Sequence, residues 1–129
     1  MRMRAGTLLG MVALGVLACG DRAPSAEDVV GVYRADLPGI ATPGRGVTLE
    51  LGVGNTAELA IDYRDGGAPV LESGTWSLSP RGEIRVVLAR DGLGPVTTDV
   101  TFRWAKAALT AIAFDTLRWG GRGFALARE

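Results

Sequence analysis

The sequence has no histidine and a single cysteine, Cys19, and each scarcity excludes a class of chemistry. Without histidine, neither Ser–His–Asp nor Cys–His catalysis is possible. One cysteine cannot form a disulfide within the chain, so a packed core must stabilise the fold. Zinc, copper, haem and iron–sulfur sites need nitrogen or sulfur ligands, and the three methionines all lie within the first eleven residues. We therefore predict no metal site and no cofactor.

The chain also lacks a hydrophobic run long enough to cross a bilayer as a helix, which takes about 20 residues. Its apolar run, Leu8–Ala18, has eleven residues and follows the basic residues Arg2 and Arg4. A basic start followed by a short apolar run is typical of a secretory signal peptide. The first segment is therefore expected to be removed from the mature domain.

The apolar run ends in Val-Leu-Ala-Cys-Gly at residues 16–20, which resembles the bacterial lipobox. The resemblance implies cleavage of residues 1–18, lipidation of Cys19, a short tether at residues 19–28 and a folded domain at residues 29–129. Gly20, rather than aspartate, follows the cysteine. This resembles an outer-membrane sorting signal and implies a lipid-anchored protein of the cell envelope that faces the periplasm. The alternative is an ordinary secretory signal with an incidental cysteine.

Positive charge is not concentrated anywhere in the chain. Lys106 is the sole lysine, and the arginines are scattered. Loss of residues 1–18 leaves 12 basic and 14 acidic residues, a net charge of about −2. A nucleic-acid-binding domain usually carries a basic patch, so no nucleic-acid partner is expected.

The alternation of apolar and polar residues over Val47–Tyr63 is the clearest structural signal in the chain. Apolar side chains fall on every second residue, which is typical of strands with one buried face and one exposed face. Facing residues must share a side of the sheet, so the loop of this hairpin must have an odd length. A three-residue loop at Gly54–Thr56 satisfies this condition and pairs Leu51 with Leu59. The hairpin then contributes only apolar side chains to the predicted interior.

The rest of the chain repeats this pattern, with glycine-, proline- and aspartate-rich turns between short apolar segments. About eight strands without a helical period predict an all-β fold, an antiparallel up-and-down meander that forms a small lipocalin-like barrel. Strand six is expected to bury Val96, and residues 36–45 are expected to form a loop. The predicted strands cover residues 29–35, 47–53, 57–63, 70–78, 83–90, 96–104, 109–113 and 123–128.

Three aromatic residues are the candidate ligand contacts: Tyr33, Trp76 and Trp104. Each lies in a predicted strand on the side expected to face the interior, where an aromatic ring either fills the core or stacks on a bound ligand. Gly74 shares a face with Trp76 and is expected to leave room for a neighbouring ring. Core packing is the simpler explanation for each aromatic residue.

Several short motifs occur in a familiar order: Gly31-Val32-Tyr33, Leu37-Pro38, the Val47–Tyr63 hairpin and Glu72-Ser73-Gly74-Thr75-Trp76. This order resembles the N-terminal domain of NlpE-type envelope lipoproteins, and implies a lipidated cysteine followed by a small lipocalin-like barrel. That family carries a CxxC pair directly after the Leu-Pro step. Here those positions hold residues 39–42, Gly-Ile-Ala-Thr, so thiol-based copper binding or redox sensing is not implied.

The sequence favours a non-catalytic, lipid-anchored barrel that binds a small or apolar ligand or an envelope protein. Two alternatives are a structural surface lipoprotein with a filled core and an inhibitor of a cell-wall hydrolase. Paired carboxylates can hydrolyse glycosides, but no two acidic residues converge by their spacing, so no enzyme activity is expected. A cavity of about 300 Å³ or more would favour a small ligand over the filled core.

Overall fold

A computed structural model describes residues 23–39 and 44–129. Eight antiparallel strands form a closed barrel in which every strand pairs with its neighbours in sequence and β8 pairs with β1. This confirms the predicted all-β meander and barrel. The strands are β1 Gly31–Leu37, β2 Arg45–Leu51, β3 Thr56–Asp62, β4 Val70–Leu78, β5 Glu83–Arg90, β6 Val96–Ala105, β7 Ala108–Ala113 and β8 Ala125–Arg128. Cys19, the predicted signal peptide and residues 40–42, three of the four positions that hold the CxxC pair in NlpE-type domains, lie outside the described residues.

The core consists of alternate residues of every strand. Apolar side chains from β2 and β3 point inward as predicted, and Glu50, Glu58 and Asp62 are exposed on the outer face. No helix within residues 23–39 and 44–129 is long and apolar enough to cross a membrane. The largest completely buried apolar side chains are those of Tyr33, Leu49, Leu51, Ile61, Ile84, Leu88, Leu109 and Leu126.

The predicted pairing of the β2–β3 hairpin is wrong by two residues, although its odd loop length is correct. Leu51 faces Ala57 instead of Leu59, and the Gly52 N–H donates to the Thr56 carbonyl at 2.7 Å. The three-residue loop is therefore 53–55, one position earlier than expected, and Val53 is exposed. Asn55 adopts a φ of 66°, a left-handed conformation that asparagine tolerates better than most residues. This conformation lets the loop end at Asn55 instead of Thr56.

The first strand begins later than predicted because Val29 belongs to a one-turn helix, α1 Ala26–Val29. Ser25 caps this helix: its hydroxyl accepts from the Asp28 N–H, and the Asp28 carboxylate accepts from the Ser25 N–H at 2.8 Å. Such a capping box satisfies two N–H groups that a helix start leaves without partners. Residues 26–28 of the segment predicted as tether therefore belong to a helix, and Val29, the first residue of the predicted domain, is fully buried.

Two further differences lie in the second half of the chain. Val96 is 58% exposed instead of buried, because the β5–β6 register shifts between Leu88 and Ala89 and Val96 leaves the inward alternation that Thr98 still follows. Such a bulge shifts the alternation of one strand against its partner. The connection expected between β7 and β8 contains a second one-turn helix, α2 Thr116–Trp119, so β8 begins at Ala125.

An up-and-down barrel has two ends that carry different connections. We call the end with α1 and the connections after β2, β4 and β6 the base. We call the opposite end, with α2 and the connections after β1, β3, β5 and β7, the mouth.

Candidate functional site

The three aromatic residues predicted as ligand contacts all lie at the base. The Tyr33 hydroxyl donates to the Val29 carbonyl at 2.5 Å and accepts from the Trp104 indole N–H at 3.3 Å. The Arg128 guanidinium lies 5.4 Å from the centre of the Tyr33 ring and donates to the Asp28 carbonyl. These contacts attach α1 and the last strand to the bottom of the barrel.

Trp76 is joined to the β2–β3 loop by three hydrogen bonds. Its indole N–H donates to the Gly52 carbonyl at 3.0 Å, its backbone N–H donates to the Asn55 carbonyl at 3.0 Å, and its carbonyl accepts from the Asn55 side chain at 2.9 Å. The ring is 2% exposed. The polar atoms of Tyr33, Trp76 and Trp104 thus have partners within the protein, and a ligand role for them stays a prediction.

The mouth is closed by α2, which is short but well capped. The Asp115 carboxylate accepts from the Leu117 N–H at 3.0 Å at its start, and Gly120 ends it with a φ of 95°. A single turn is too short to be stable in isolation, so contacts with the barrel must hold it. Those contacts come from Arg118 and Trp119. We call residues 115–120 the plug.

The Trp119 side chain extends from the plug into the barrel, where it joins an aromatic cluster. Its ring stacks on Phe124 at 4.5 Å between centroids, and Phe124 also meets Phe102 and Phe114 edge to face. The remaining void beneath it has a volume of about 10 Å³. That volume is at the lower limit for a single water molecule. The barrel interior is therefore filled.

Arg118 fixes the plug to a buried carboxylate on β4. The Glu72 side chain is 0% exposed, and the Arg118 Nη2 donates to its Oε2 at 2.6 Å. The other Glu72 oxygen accepts from the hydroxyls of Thr97 and Thr98 on β6. Arg118 also donates to the Thr97 carbonyl at 2.6 Å. The network joins β4, β6 and the plug in one set of charge-assisted hydrogen bonds.

Opposing effects set the pKa of Glu72. Burial alone would raise it, because a low-dielectric environment disfavours the ionised form. The hydrogen bonds from Thr98 and Thr97 and the positive charge of Arg118 together outweigh burial, and they hold the pKa of Glu72 below its usual value. The carboxylate is therefore ionised at neutral pH and pairs with Arg118.

Arg45, the first residue of β2, is a buried cation at the mouth. It lies on the inward face of β2 with Val47, Leu49 and Leu51, and it is 4% exposed. Its guanidinium is 5.2 Å from the centre of the Trp119 ring, and Arg118 is 5.1 Å from the same ring. Within the described part of the chain, the Arg45 Nε has no hydrogen-bond partner and no ion pair includes Arg45.

The polar residues of the mouth were not among the predicted site residues. The sequence predicts a loop at Arg45, and Glu72 enters only as part of a motif. The alternation of inward and outward side chains along a strand identifies both residues. Arg45 continues the inward series of β2, and Glu72 shares a face with Gly74 and Trp76. Among residues 23–39 and 44–129, no three histidine, cysteine or acidic side chains group as a metal site requires.

Comparison with known proteins supports the fold. No family model matches the sequence, and no curated protein matches it. The structure is similar to the crystal structure of a presumed lipoprotein from Shewanella oneidensis, with a TM-score of 0.55 and 20% sequence identity over 84% of this chain and 98% of that one. The resemblance to NlpE-type domains thus rests on the sequence motifs alone. At this level of identity, the chain shares the barrel fold of the Shewanella protein.

Proposed function

We propose that this protein is a non-catalytic, lipid-anchored module of the bacterial envelope that binds another envelope protein through the mouth of its barrel. The observation that carries this proposal is the distribution of exposed apolar side chains. Six large apolar side chains are exposed in the described residues, and five of them lie at the mouth. We call these five the apolar rim: Leu71, Leu93, Val96, Ile112 and Leu117.

Isolated apolar residues on a protein surface are normal, but their concentration at one end favours an interaction site. Leu93 and Leu117 are the most exposed members, at 78% and 86%. Both lie in connections of the mouth, where side chains vary without disturbing the barrel. A partner with an apolar patch of its own would cover this rim.

A protein partner fits the barrel better than an enclosed small ligand. A pocket for a small molecule usually has a volume of about 300 Å³ or more. The void inside this barrel has about 10 Å³ and is lined by core residues such as Val86 and Phe102. The filled interior thus supports binding at the surface of the mouth.

The direction of the chain supports a partner on the side away from the membrane. The first described residues pack at the base, where Val29 contacts Tyr33. A lipid on Cys19 would therefore hold the base near the membrane. Seven-residue strands such as β1 are about 23 Å long, and strands of a closed barrel tilt by about 40° to its axis. The mouth would therefore face the periplasm at roughly 18 Å above the base. The lipoprotein character of the Shewanella neighbour is in keeping with this anchor.

Photocrosslinking in the envelope tests the partner. A photoreactive phenylalanine analogue at Leu117 is expected to give a discrete crosslinked product of higher mass, because this side chain belongs to the apolar rim. Val53 is the matched control, since it is 84% exposed and apolar but lies at the base. Equal crosslinking from both positions, or none from Leu117 and Leu93, would count against a partner at the mouth.

The anchor has a separate test. Intact-mass measurement of the protein extracted from membranes is expected to show a chain that begins at an acylated Cys19. Replacement of Cys19 with alanine should leave the protein without acyl chains, because this cysteine is the residue that would carry them. A mature chain that begins at any other residue would refute the anchor.

A further inference from the structure

We propose that the mouth of the barrel contains a binding site for a carboxylate group and that Arg45 is the residue that binds it. This site is distinct from the apolar rim and does not depend on the protein partner proposed above. It rests on the burial of Arg45, on its missing partner and on the pairing of the buried Glu72 with Arg118.

An arginine that is 4% exposed should have its donors satisfied, because a buried charge without a partner is costly. The Nε of Arg45 is buried and has no partner among the described residues. The Trp119 ring at 5.2 Å attracts the cation through its π-electrons but accepts no conventional hydrogen bond from the Nε. A donor without an acceptor in this position is available to a ligand.

Inside the mouth, the buried carboxylate does not compensate the charge of Arg45. Arg45 and Arg118 approach the same ring, whereas Glu72 is the buried carboxylate nearby. Glu72 is fully engaged, since Arg118 and two threonine hydroxyls bind its two oxygens. It is therefore not free to neutralise Arg45. An anion bound at Arg45 would neutralise this cation, as Glu72 neutralises Arg118, in surroundings where charges interact strongly.

The shape and surroundings of Arg45 favour a carboxylate with an apolar substituent. A guanidinium binds a carboxylate through two parallel N–H groups, and the Nε supplies one of them. Leu37 faces Arg45 across the β1–β2 pair, and Trp119 flanks it, so the substituent would meet apolar side chains. The carboxylate source is either a free amphiphilic acid or the end of a polypeptide chain, which share this chemistry.

The void below Trp119 is too small to receive the ligand. At about 10 Å³ it holds one water at most. A carboxylate that reaches the Nε must therefore enter from the mouth and shift the Trp119 ring. Binding should consequently change the surroundings of two N–H groups, the Arg45 Nε and the Trp119 indole.

Nuclear magnetic resonance of the ¹⁵N-labelled chain from residue 20 to residue 129, which keeps the tether and the domain, tests the site in a buffer free of carboxylate and phosphate. The probes are acetate, octanoate and N-acetylleucine, with sodium chloride at equal ionic strength as the reference. As the concentration of octanoate or N-acetylleucine rises, the resonances of the Arg45 Nε–H and the Trp119 indole N–H are expected to shift and then to reach a plateau. The tighter of these two probes identifies the source as an amphiphile or a chain end.

Arg45→Met is the matched variant because it keeps the apolar stem and removes the charge. It is expected to weaken binding of the tighter probe about ten-fold or more, the usual effect of losing a charge-assisted hydrogen bond. Its melting temperature should equal or exceed that of the wild type, since replacing a buried unpaired charge with an apolar side chain is often stabilising. Arg103→Met, at an exposed position, should bind normally.

Two results would overturn the site. One is an Arg45 resonance that responds to the carboxylates no more than to chloride. The other is an Arg45→Met variant that is folded and binds the probes as the wild type does. Either result leaves the crosslinking test of the apolar rim unaffected, so the two proposals fail separately.

Discussion

Replacing Gly74 with alanine is expected to destabilise the barrel by about 3 kcal/mol or more, at the upper end of the range for overpacked cores. For a domain of this size, that loss lowers the melting temperature by about 15 °C. The measurement is thermal unfolding followed by circular dichroism. At an ordinary glycine in a strand, replacement with alanine is slightly stabilising, because alanine has fewer backbone conformations to lose on folding. At Gly74 we expect the opposite.

The reason is the close approach of β5 to β4. A Cβ atom on Gly74 would lie 2.0 Å from the Val87 carbonyl oxygen and 3.0 Å from the Leu88 Cα. Both atoms belong to the main chain, so no side-chain rotation relieves the contact. The strands must separate at Gly74 and Leu88, which face each other in the barrel. Glycine within a strand often marks such a close approach.

Gly121 provides the control for this prediction. A Cβ atom on Gly121 would meet nothing within 4 Å, and its backbone does not adopt a left-handed conformation. Gly121→Ala should therefore leave the melting temperature within about 2 °C of the wild type, because surface substitutions usually have small effects. Equal melting temperatures for the two variants would show that β4 and β5 separate at little cost.

Gly74 illustrates what sequence patterns can predict in this chain. Alternation placed the residue on the inward face of the correct strand, because side-chain direction follows from period two alone. The same pattern suggested that a neighbouring ring would use the space. The space is instead occupied by the main chain of β5, and that proximity depends on how closely the barrel brings the two strands together.

The polar residues at the mouth show a different limit. Arg45 and Glu72 lie on the same alternate positions as the core residues of their own strands, so their inward direction was predictable. Their role was not predictable, because the partners come from distant parts of the chain: Arg118 is 46 residues from Glu72. The plug itself has one helical turn, which is too short to produce a periodic signal.

The exposed residues of the apolar rim were missed for a related reason. Val96 continues the alternation of β6, and that pattern placed it in the core. Thr98 keeps the inward alternation of Val100, but the register shifts between Leu88 and Ala89, so Val96 turns outward. A bulge changes direction through one extra residue and has no dependable signature in composition. The mouth thus combines polar residues inside with apolar residues outside, opposite to the pattern of the walls.

Replacement of Arg118 with leucine is expected to cost about 3 kcal/mol at pH 7, because removal of one member of a buried ion pair leaves the other charge without compensation. Glu72 is the buried member, with a side chain that is 0% exposed. The two threonine hydroxyls still bind its carboxylate but carry no positive charge. The measurement is chemical unfolding of the wild type and the variant between pH 3 and pH 7.

The cost should depend on pH in a definite direction. Because the pKa of Glu72 is lowered in the folded protein, its contribution to stability is complete above the unfolded value of about 4.3 and is lost as the pH falls through the folded value. In Arg118→Leu the carboxyl group keeps its proton to higher pH. The difference between the two proteins should therefore be largest near pH 7 and should diminish below about pH 4.

The exposed pair Arg85–Asp99 is the control for burial. These side chains form two hydrogen bonds, at 3.0 and 2.7 Å, across β5 and β6 on the outer face. Arg85→Leu should change stability little, because solvent screens exposed ion pairs. A similar loss from both substitutions, or a loss from Arg118→Leu that is the same at pH 3 and pH 7, would mean that the ion pair does not hold the plug. Since the plug covers Arg45, a weaker Glu72–Arg118 pair should also make the carboxylate site easier to enter.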